Sequence, residues 1–198
     1  MTKQIDFPRQ IALQILYQIE TEGTYSNIAL DKAINKNRKQ LSSQDIGFIS
    51  EIVYGTITWK YTLDVIIRKY SDIRLKKISI WILNILRMAI YQIIFLERVP
   101  KSAATNEAVK LANRYGHKAS SNFVNAILRK IDPKDLEEIQ KIKGPVERIS
   151  KSFSLPEWLT QLLLKEYPQK VVEEIAKNSV LEPKLAVRIN PLKITKEQ

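Results

Sequence analysis

The sequence predicts a mainly α fold, a helical bundle followed by a short α+β segment, and three observations carry that prediction. Apolar residues recur at i, i+3, i+4 and i+7 over most of the chain, which is the spacing of a buried helix face. One stretch, Leu185-Ala186-Val187-Arg188-Ile189-Asn190, alternates as a strand does. The hydrophobic fraction is 44% of 198 residues, enough for a packed core rather than a disordered chain.

Taken in order, Phe7 to Ile19 reads as the first amphipathic helix. Pro8 is tolerated in its first turn, Ile11, Ile15, Leu16 and Ile19 form its inward stripe, and Gly23 closes it. Ser26 to Asn35 follows with Ile28, Ala29, Ala33 and Ile34 inward, and then the basic cluster Lys36-Asn37-Arg38-Lys39. Such a run is solvated in a loop, and it could also touch phosphate. Ser42 or Ser43 caps a longer helical region in which Phe48, Ile49, Ile52, Val53 and Ile57 keep helical spacing, while Gly47 and Gly55 permit close packing. Trp59 and Tyr61 continue that core surface to Leu63, Val65, Ile66 and Ile67. A second basic run, Arg68, Lys69, Arg74, Lys76 and Lys77, flanks Tyr70. Aromatic residues among cations can stack bases, but a single tyrosine reads first as packing.

Ile78 to Leu96 is apolar almost throughout, with Ser79, Asn84, Arg87 and Gln92 as its clearly polar members. An arginine near the centre of a membrane span costs roughly 2.5–3.5 kcal/mol on insertion scales. The segment therefore reads as the central helix of a bundle, in one piece or two, apolar all round because other helices wrap it.

Val99-Pro100 turns the chain into a helical hairpin, Ala103 to Ile131. Ser102 is the expected N-cap, and Ala104, Ala108, Leu111, Ala112 and Tyr115 make one stripe. Gly116 is expected to close this helix in the left-handed conformation, and Ser120 or Ser121 to cap the next. The second helix buries Phe123, Val124, Ile127, Leu128 and Ile131, with Asn122, Asn125 and Arg129 on another face. The outer face of the first helix presents Asn106, Lys110, Asn113 and Arg114 together, a combination suited to phosphate and sugar contacts. Each of these taken singly is also an ordinary solvated helix residue.

Asp132-Pro133 breaks the pattern, Lys134 to Ile142 is a short polar helix, and Gly144-Pro145 begins a change of composition. The domain boundary falls between Asp132 and Ser152, giving residues 1–142 as one unit and 143–198 as a second. The second unit has a helix opening at Leu155-Pro156-Glu157-Trp158-Leu159 and running through Tyr167, with Leu159, Leu162, Leu163 and Tyr167 apolar, and another over Val171 to Asn178. Thr195 to Gln198 matches a capping box and announces a helix just where the sequence stops. That ending is expected of a piece of a longer protein.

The formal charge is +11, from 32 Lys plus Arg against 21 Asp plus Glu, which favours a polyanionic partner, RNA or DNA before an acidic membrane or protein surface. No cysteine is present, so thiolate chemistry and disulfides are unavailable, a composition compatible with a reducing cytoplasm. The amino terminus lacks the apolar core of a signal peptide. His117 is the sole histidine, which excludes multi-histidine metal sites and a serine–histidine triad. The glycines are isolated, with no G-x-G cofactor turn. Glu137-Glu138 and Glu173-Glu174 are adjacent pairs that point in different directions on their helices. No catalytic, cofactor or metal residues are therefore assigned in this chain.

The blocks NEAVKLANRYG, Asn106 to Gly116, and NFVNAILRK, Asn122 to Lys130, resemble the NEAVKLAKxYG…FVNAVLRR block of the small-subunit ribosomal RNA methyltransferase B family, also called Sun or Fmu. The near relatives of that family are NusB-type antitermination factors, and RQIALQILYQIE, Arg9 to Glu20, is similar to the first helix of the same domain. FSLPEWLTQLLLKEYP and EPKLAVRINPLKIT look like the opening of that family's catalytic half. The resemblance implies a NusB-like RNA-binding bundle over 1–142 and the beginning of a methyltransferase region over 143–198. It implies a parent enzyme that transfers a methyl group from S-adenosylmethionine to carbon 5 of a cytosine in 16S rRNA, with this chain positioning the rRNA for its own C-terminal catalytic domain. That chemistry uses a thiolate nucleophile, so this chain alone is expected to be silent and to hold no cofactor. Arg9, Lys110, Arg114, Lys118, Arg129 and Lys130 are the candidate RNA-binding residues. The alternative is a NusB-type antitermination factor that binds RNA with a ribosomal protein, although the dense N-terminal arginine cluster of many such factors is missing here. A third class is a protein-interaction module with incidental charge.

Overall fold

The computed structural model describes residues 5–181. The strand expected at Leu185–Asn190 and the capping box at Thr195–Gln198 lie outside the described residues. Within them the chain forms α1 (Phe7–Glu22), α2 (Ser26–Asn37), α3 (Ser43–Thr58), α4 (Lys60–Tyr70), α5 (Ile80–Phe95), α6 (Lys101–Tyr115), α7 (Lys118–Lys130), α8 (Asp135–Gln140), α9 (Pro145–Ser152), α10 (Glu157–Glu166) and α11 (Gln169–Ser179).

Local chemistry sets most of these boundaries. Asp6 caps α1 by accepting from the Arg9 backbone N–H at 3.0 Å, and Gly23 ends it with φ 64°. Ser42 and Asp45 form a reciprocal capping box at the start of α3. Between α3 and α4 the chain breaks at Trp59, with φ −93° and ψ 12°, so the two helices are separate rather than one long region. That break rotates the apolar stripe. Trp59 stays partly buried on the core, whereas Tyr61, expected inside, is 48% exposed.

The hairpin α6–α7 corrects three capping expectations. α6 begins at Lys101 behind Pro100 rather than at a Ser102 cap. Gly116 is extended, with φ −138° and ψ −134°, and is not left-handed. The cap of α7 is His117, whose Nδ1 accepts from the Ser120 backbone N–H at 3.2 Å, in place of Ser120 or Ser121. On α2, Ile28 is 54% exposed and Leu30 takes the inward place. Ala29 with Ala33 and Leu30 with Ile34 are i, i+4 pairs, and Ile28 lies off that stripe. Of the two glycines expected to permit close packing, only Gly55 does so, since a Cβ there would sit 1.9 Å from the Tyr91 ring.

The expected central helix is one unbroken element. α5 is buried continuously from Ile82 to Gln92 and is wrapped by α1, α3, α4, α6 and α7. Among the described residues no helix is long and apolar enough to cross a membrane. Arg87, 4% exposed, is matched inside the bundle instead. Its Nε and Nη2 donate to the two Asp64 carboxylate oxygens at 2.7 and 2.9 Å, and its Nη1 donates to Glu20 at 2.9 Å and to Asn84 at 3.2 Å. Burial pushes this guanidinium down, but Asp64 and Glu20 more than restore its charged form. Burial likewise pushes Glu20 up, and Lys60 with Arg87 leaves it below the usual carboxylate range.

The main core draws on α1 through α8, and Ile149, Leu155, Val172 and Ala176 form a second, smaller cluster. α9 is tied back to the bundle where the Thr62 hydroxyl donates to the Lys151 carbonyl at 2.7 Å and the Tyr61 backbone N–H donates to Ser154 Oγ at 2.9 Å. α8 is held by Asp135, which is 2% exposed and accepts from Lys69, Tyr70 and the Asp132 backbone N–H. Tyr70 is thus a packing and hydrogen-bonding residue, in line with the reading that preferred packing for it.

Candidate nucleic-acid interface

The face of α6 opposite its buried stripe is where polar groups converge. Ala104, Ala108, Leu111 and Ala112 point into the core, so helical geometry turns Asn106, Lys110, Asn113 and Arg114 outward. The start of α1 lies alongside. The Asp6 backbone N–H donates to Glu107 Oε2 at 3.0 Å, Arg114 Nη1 donates to Gln10 Oε1 at 3.4 Å, and Gln14 Nε2 donates to the Tyr115 hydroxyl at 3.1 Å. Between the two helices runs an open groove lined by Phe7, Gln10, Asn106, Lys110, Asn113 and Arg114.

The groove offers amide donors and acceptors beside two cations. Lys110 Nζ also contacts Glu107 Oε1 at 2.5 Å, so one carboxylate moderates the local charge while Arg114 stays exposed. Amides and guanidinium groups on a rigid helix can hydrogen-bond phosphate and sugar oxygens. Among the described residues there is no cluster of three metal-ligating side chains.

The six candidate residues do not form one patch. Lys110 and Arg114 line the groove, and Lys118 is exposed at the start of α7, next to the end of α6. Arg129 and Lys130 lie at the other end of the hairpin, where Lys101 Nζ donates to the carbonyls of Arg129 and Ile131 at 3.0 and 2.5 Å. The length of α7 puts them roughly 20 Å from Lys118. Arg9 is placed differently from the other five. Its side chain is 11% exposed, donates through Nε to Gln92 at 2.7 Å, pairs with Asp6 at 3.2 Å and lies over the Phe48 ring.

Sequence reasoning missed two contributors. Gln10 enters the groove from α1, a residue 104 positions from its partner Arg114. The half-buried rings of Tyr17, Trp81 and Tyr115 stack in series beside it. Neither leaves a signal in local spacing, because each depends on helices that meet only in the folded bundle.

Residues 7–133 match the NusB family, and residues 155–198 match a Methyltr_RsmF/B-like, ferredoxin-like domain. A probable ribosomal RNA small subunit methyltransferase B of Bacillus subtilis (strain 168) is 35% identical over 93% of this chain and 41% of its own length. The counterpart in Synechocystis is 34% identical over 95% and 42%, so the chain spans about two fifths of these relatives. The transcription antitermination protein NusB of Desulfitobacterium hafniense is 35% identical over 62% of this chain and 84% of its own length. Among solved structures, T. maritima NusB superposes with a TM-score of 0.56 at 22% identity over 68% of this chain and 99% of its own. NusB in a crystal structure with NusE and dsRNA gives 0.56 at 19% identity, over 62% and 90%. The match over residues 7–133 and the superposition on solved NusB structures agree, and the chain belongs to the NusB family, with a match to a Methyltr_RsmF/B-like, ferredoxin-like domain over residues 155–198.

Proposed function

We propose that this chain is the RNA-binding N-terminal region of a 16S rRNA (cytosine-5) methyltransferase, positioning rRNA for S-adenosylmethionine-dependent methylation by a catalytic domain that this chain does not include. The observation that carries the reading is continuity: one likeness of 185 residues runs through the NusB region into the ferredoxin-like segment of a ribosomal RNA methyltransferase relative. A free-standing antitermination factor would leave residues 155–198 without an account. The charge of +11 fits a polyanionic partner.

In this reading Lys110 and Arg114 meet phosphates while Asn106, Asn113 and Gln10 meet sugar or base edges. Lys118 extends the same track, and Arg129 and Lys130 offer a second phosphate contact at the far end of the hairpin. Arg9 contributes by fixing the start of α1, and with it Gln10, rather than by reaching RNA. With no cysteine in the chain, the nucleophile for cytosine would come from the catalytic domain, where S-adenosylmethionine supplies the methyl group.

The test is equilibrium binding of 16S rRNA fragments across a salt series. Affinity is expected to fall linearly on a log–log plot, because neutralised phosphates release counterions. Lys110→Glu together with Arg114→Glu should weaken binding and flatten that slope by about two. Salt-independent binding, or no change in the double variant, would overturn the reading.

A further inference from the structure

We propose that the ladder of rings formed by Tyr17, Trp81 and Tyr115 is a stacking platform for an unpaired base, so that the RNA engaged by this chain is single-stranded at that point. The proposal rests on the RNA-binding reading above. Tyr17 lies over Trp81 at 3.7 Å between centroids with an interplanar angle of 6°, and Trp81 over Tyr115 at 4.4 Å and 25°. The first spacing is close to the rise of about 3.4 Å between bases along a nucleic-acid strand.

The two ends of the ladder differ. Trp81 and Tyr115 pack on the main core, whereas Tyr17 packs on Trp81 and is not among the side chains that the core enfolds. Among the described residues no further ring follows Tyr17. Tyr17, partly exposed, is thus the end ring of the stack, and every nucleobase presents a π face able to continue it.

The ladder also adjoins the groove. Tyr115 follows Arg114 directly in sequence, and its hydroxyl accepts from Gln14, one turn along α1 from the groove residue Gln10. A strand whose phosphates meet Lys110 and Arg114 thus has a base within reach of the rings. The combination of a cationic track with an aromatic stack is the chemistry by which proteins hold single strands with little regard to sequence. Within a duplex the base faces are covered by their neighbours, so only its two terminal pairs could meet the ladder.

The experiment uses the chain with Trp59→Phe and Trp158→Phe, leaving Trp81 as the sole tryptophan of the three. Its fluorescence is titrated with an unstructured oligoribonucleotide, with the same strand carrying abasic positions, and with a blunt duplex. Quenching by the intact single strand beyond that of the other two is expected. Tyr17→Ala should weaken intact-strand binding by about tenfold and leave the abasic strand and the duplex unchanged, while Tyr17→Phe should bind as the parent does. Equal quenching by all three nucleic acids, or a Tyr17→Ala affinity equal to the parent's, would overturn the platform. If the Lys110→Glu/Arg114→Glu pair still weakens RNA binding in that event, the RNA-binding reading stands and only the ladder falls. Binding of a protein partner across the rings with no response to any RNA would remove both.

Discussion

At the scale of single residues, the fold depends on a few ionised groups placed where water is absent. Arg87 makes four hydrogen bonds, two to Asp64 and one each to Glu20 and Asn84. Arg87→Met removes the guanidinium from which both Asp64 oxygens accept and leaves Glu20 with Lys60 alone, and the expected loss of stability in urea unfolding is about 3–5 kcal/mol. Asp135 makes a prediction about pH. Burial pushes its carboxyl up, but the Asp132 backbone N–H, the Lys69 ammonium and the Tyr70 hydroxyl outweigh this and leave it below the usual carboxylate range. A carboxyl that holds its proton less tightly in the folded chain stabilises the fold above about pH 4, and that contribution is lost as pH falls through the folded value. The urea midpoint of the parent should therefore drop more steeply below about pH 4 than that of Asp135→Asn, and parallel curves would contradict the assignment.

At the scale of elements, the contact between α3 and α5 turns on Gly55. Its missing Cβ is where the Tyr91 ring lies, and the Tyr91 hydroxyl donates to Glu51 on the same helix. Gly55→Ala must displace a ring that is 5% exposed, and a cost of about 1–3 kcal/mol is expected by thermal or urea unfolding. Gly47→Ala, which meets nothing within 4 Å, should be neutral or slightly stabilising. The difference illustrates what the sequence could convey. Helix positions were legible, because the 3.6-residue period is written into α1, α3, α6 and α7 and the unbroken apolar run marks α5 as the wrapped one. Which glycine receives a neighbour was not, since Tyr91 is supplied by another helix. The cap of α7 was misread because His117 accepts the Ser120 backbone N–H through a ring nitrogen, a role the spacing gave to a serine, and that of α6 because its first turn begins directly behind Pro100 with no side-chain cap. The groove was half legible, with the α6 face visible in spacing and Gln10 invisible.

At the scale of the molecule, the two apolar clusters give the chain a testable division. The main core ends with Ile139 and Ile142 of the α8 region, and the second cluster begins at Ile149. A fragment of residues 1–142 is expected to keep the circular dichroism of a helical bundle and to unfold cooperatively. Its stability should fall below that of the longer chain, because Thr62, fully buried beneath Lys151, becomes solvated. The same fragment should retain salt-dependent RNA binding, since the groove between α1 and α6 lies wholly within it. A fragment that unfolds without cooperativity would show instead that α9 is integral to the bundle.

The position of Arg87 also governs the order in which the chain can assemble. Its acceptors Glu20 and Asp64 precede it by 67 and 23 residues, so during vectorial synthesis both carboxylates leave the ribosome before the guanidinium does. Once α5 emerges, an intermediate lacking α1 leaves Arg87 with Asp64 alone, one lacking α4 leaves it with Glu20 alone, and one lacking both strands a full positive charge in hydrocarbon-like surroundings. Such half-built species are penalised, and the bundle is driven toward all-or-none closure around a single arginine.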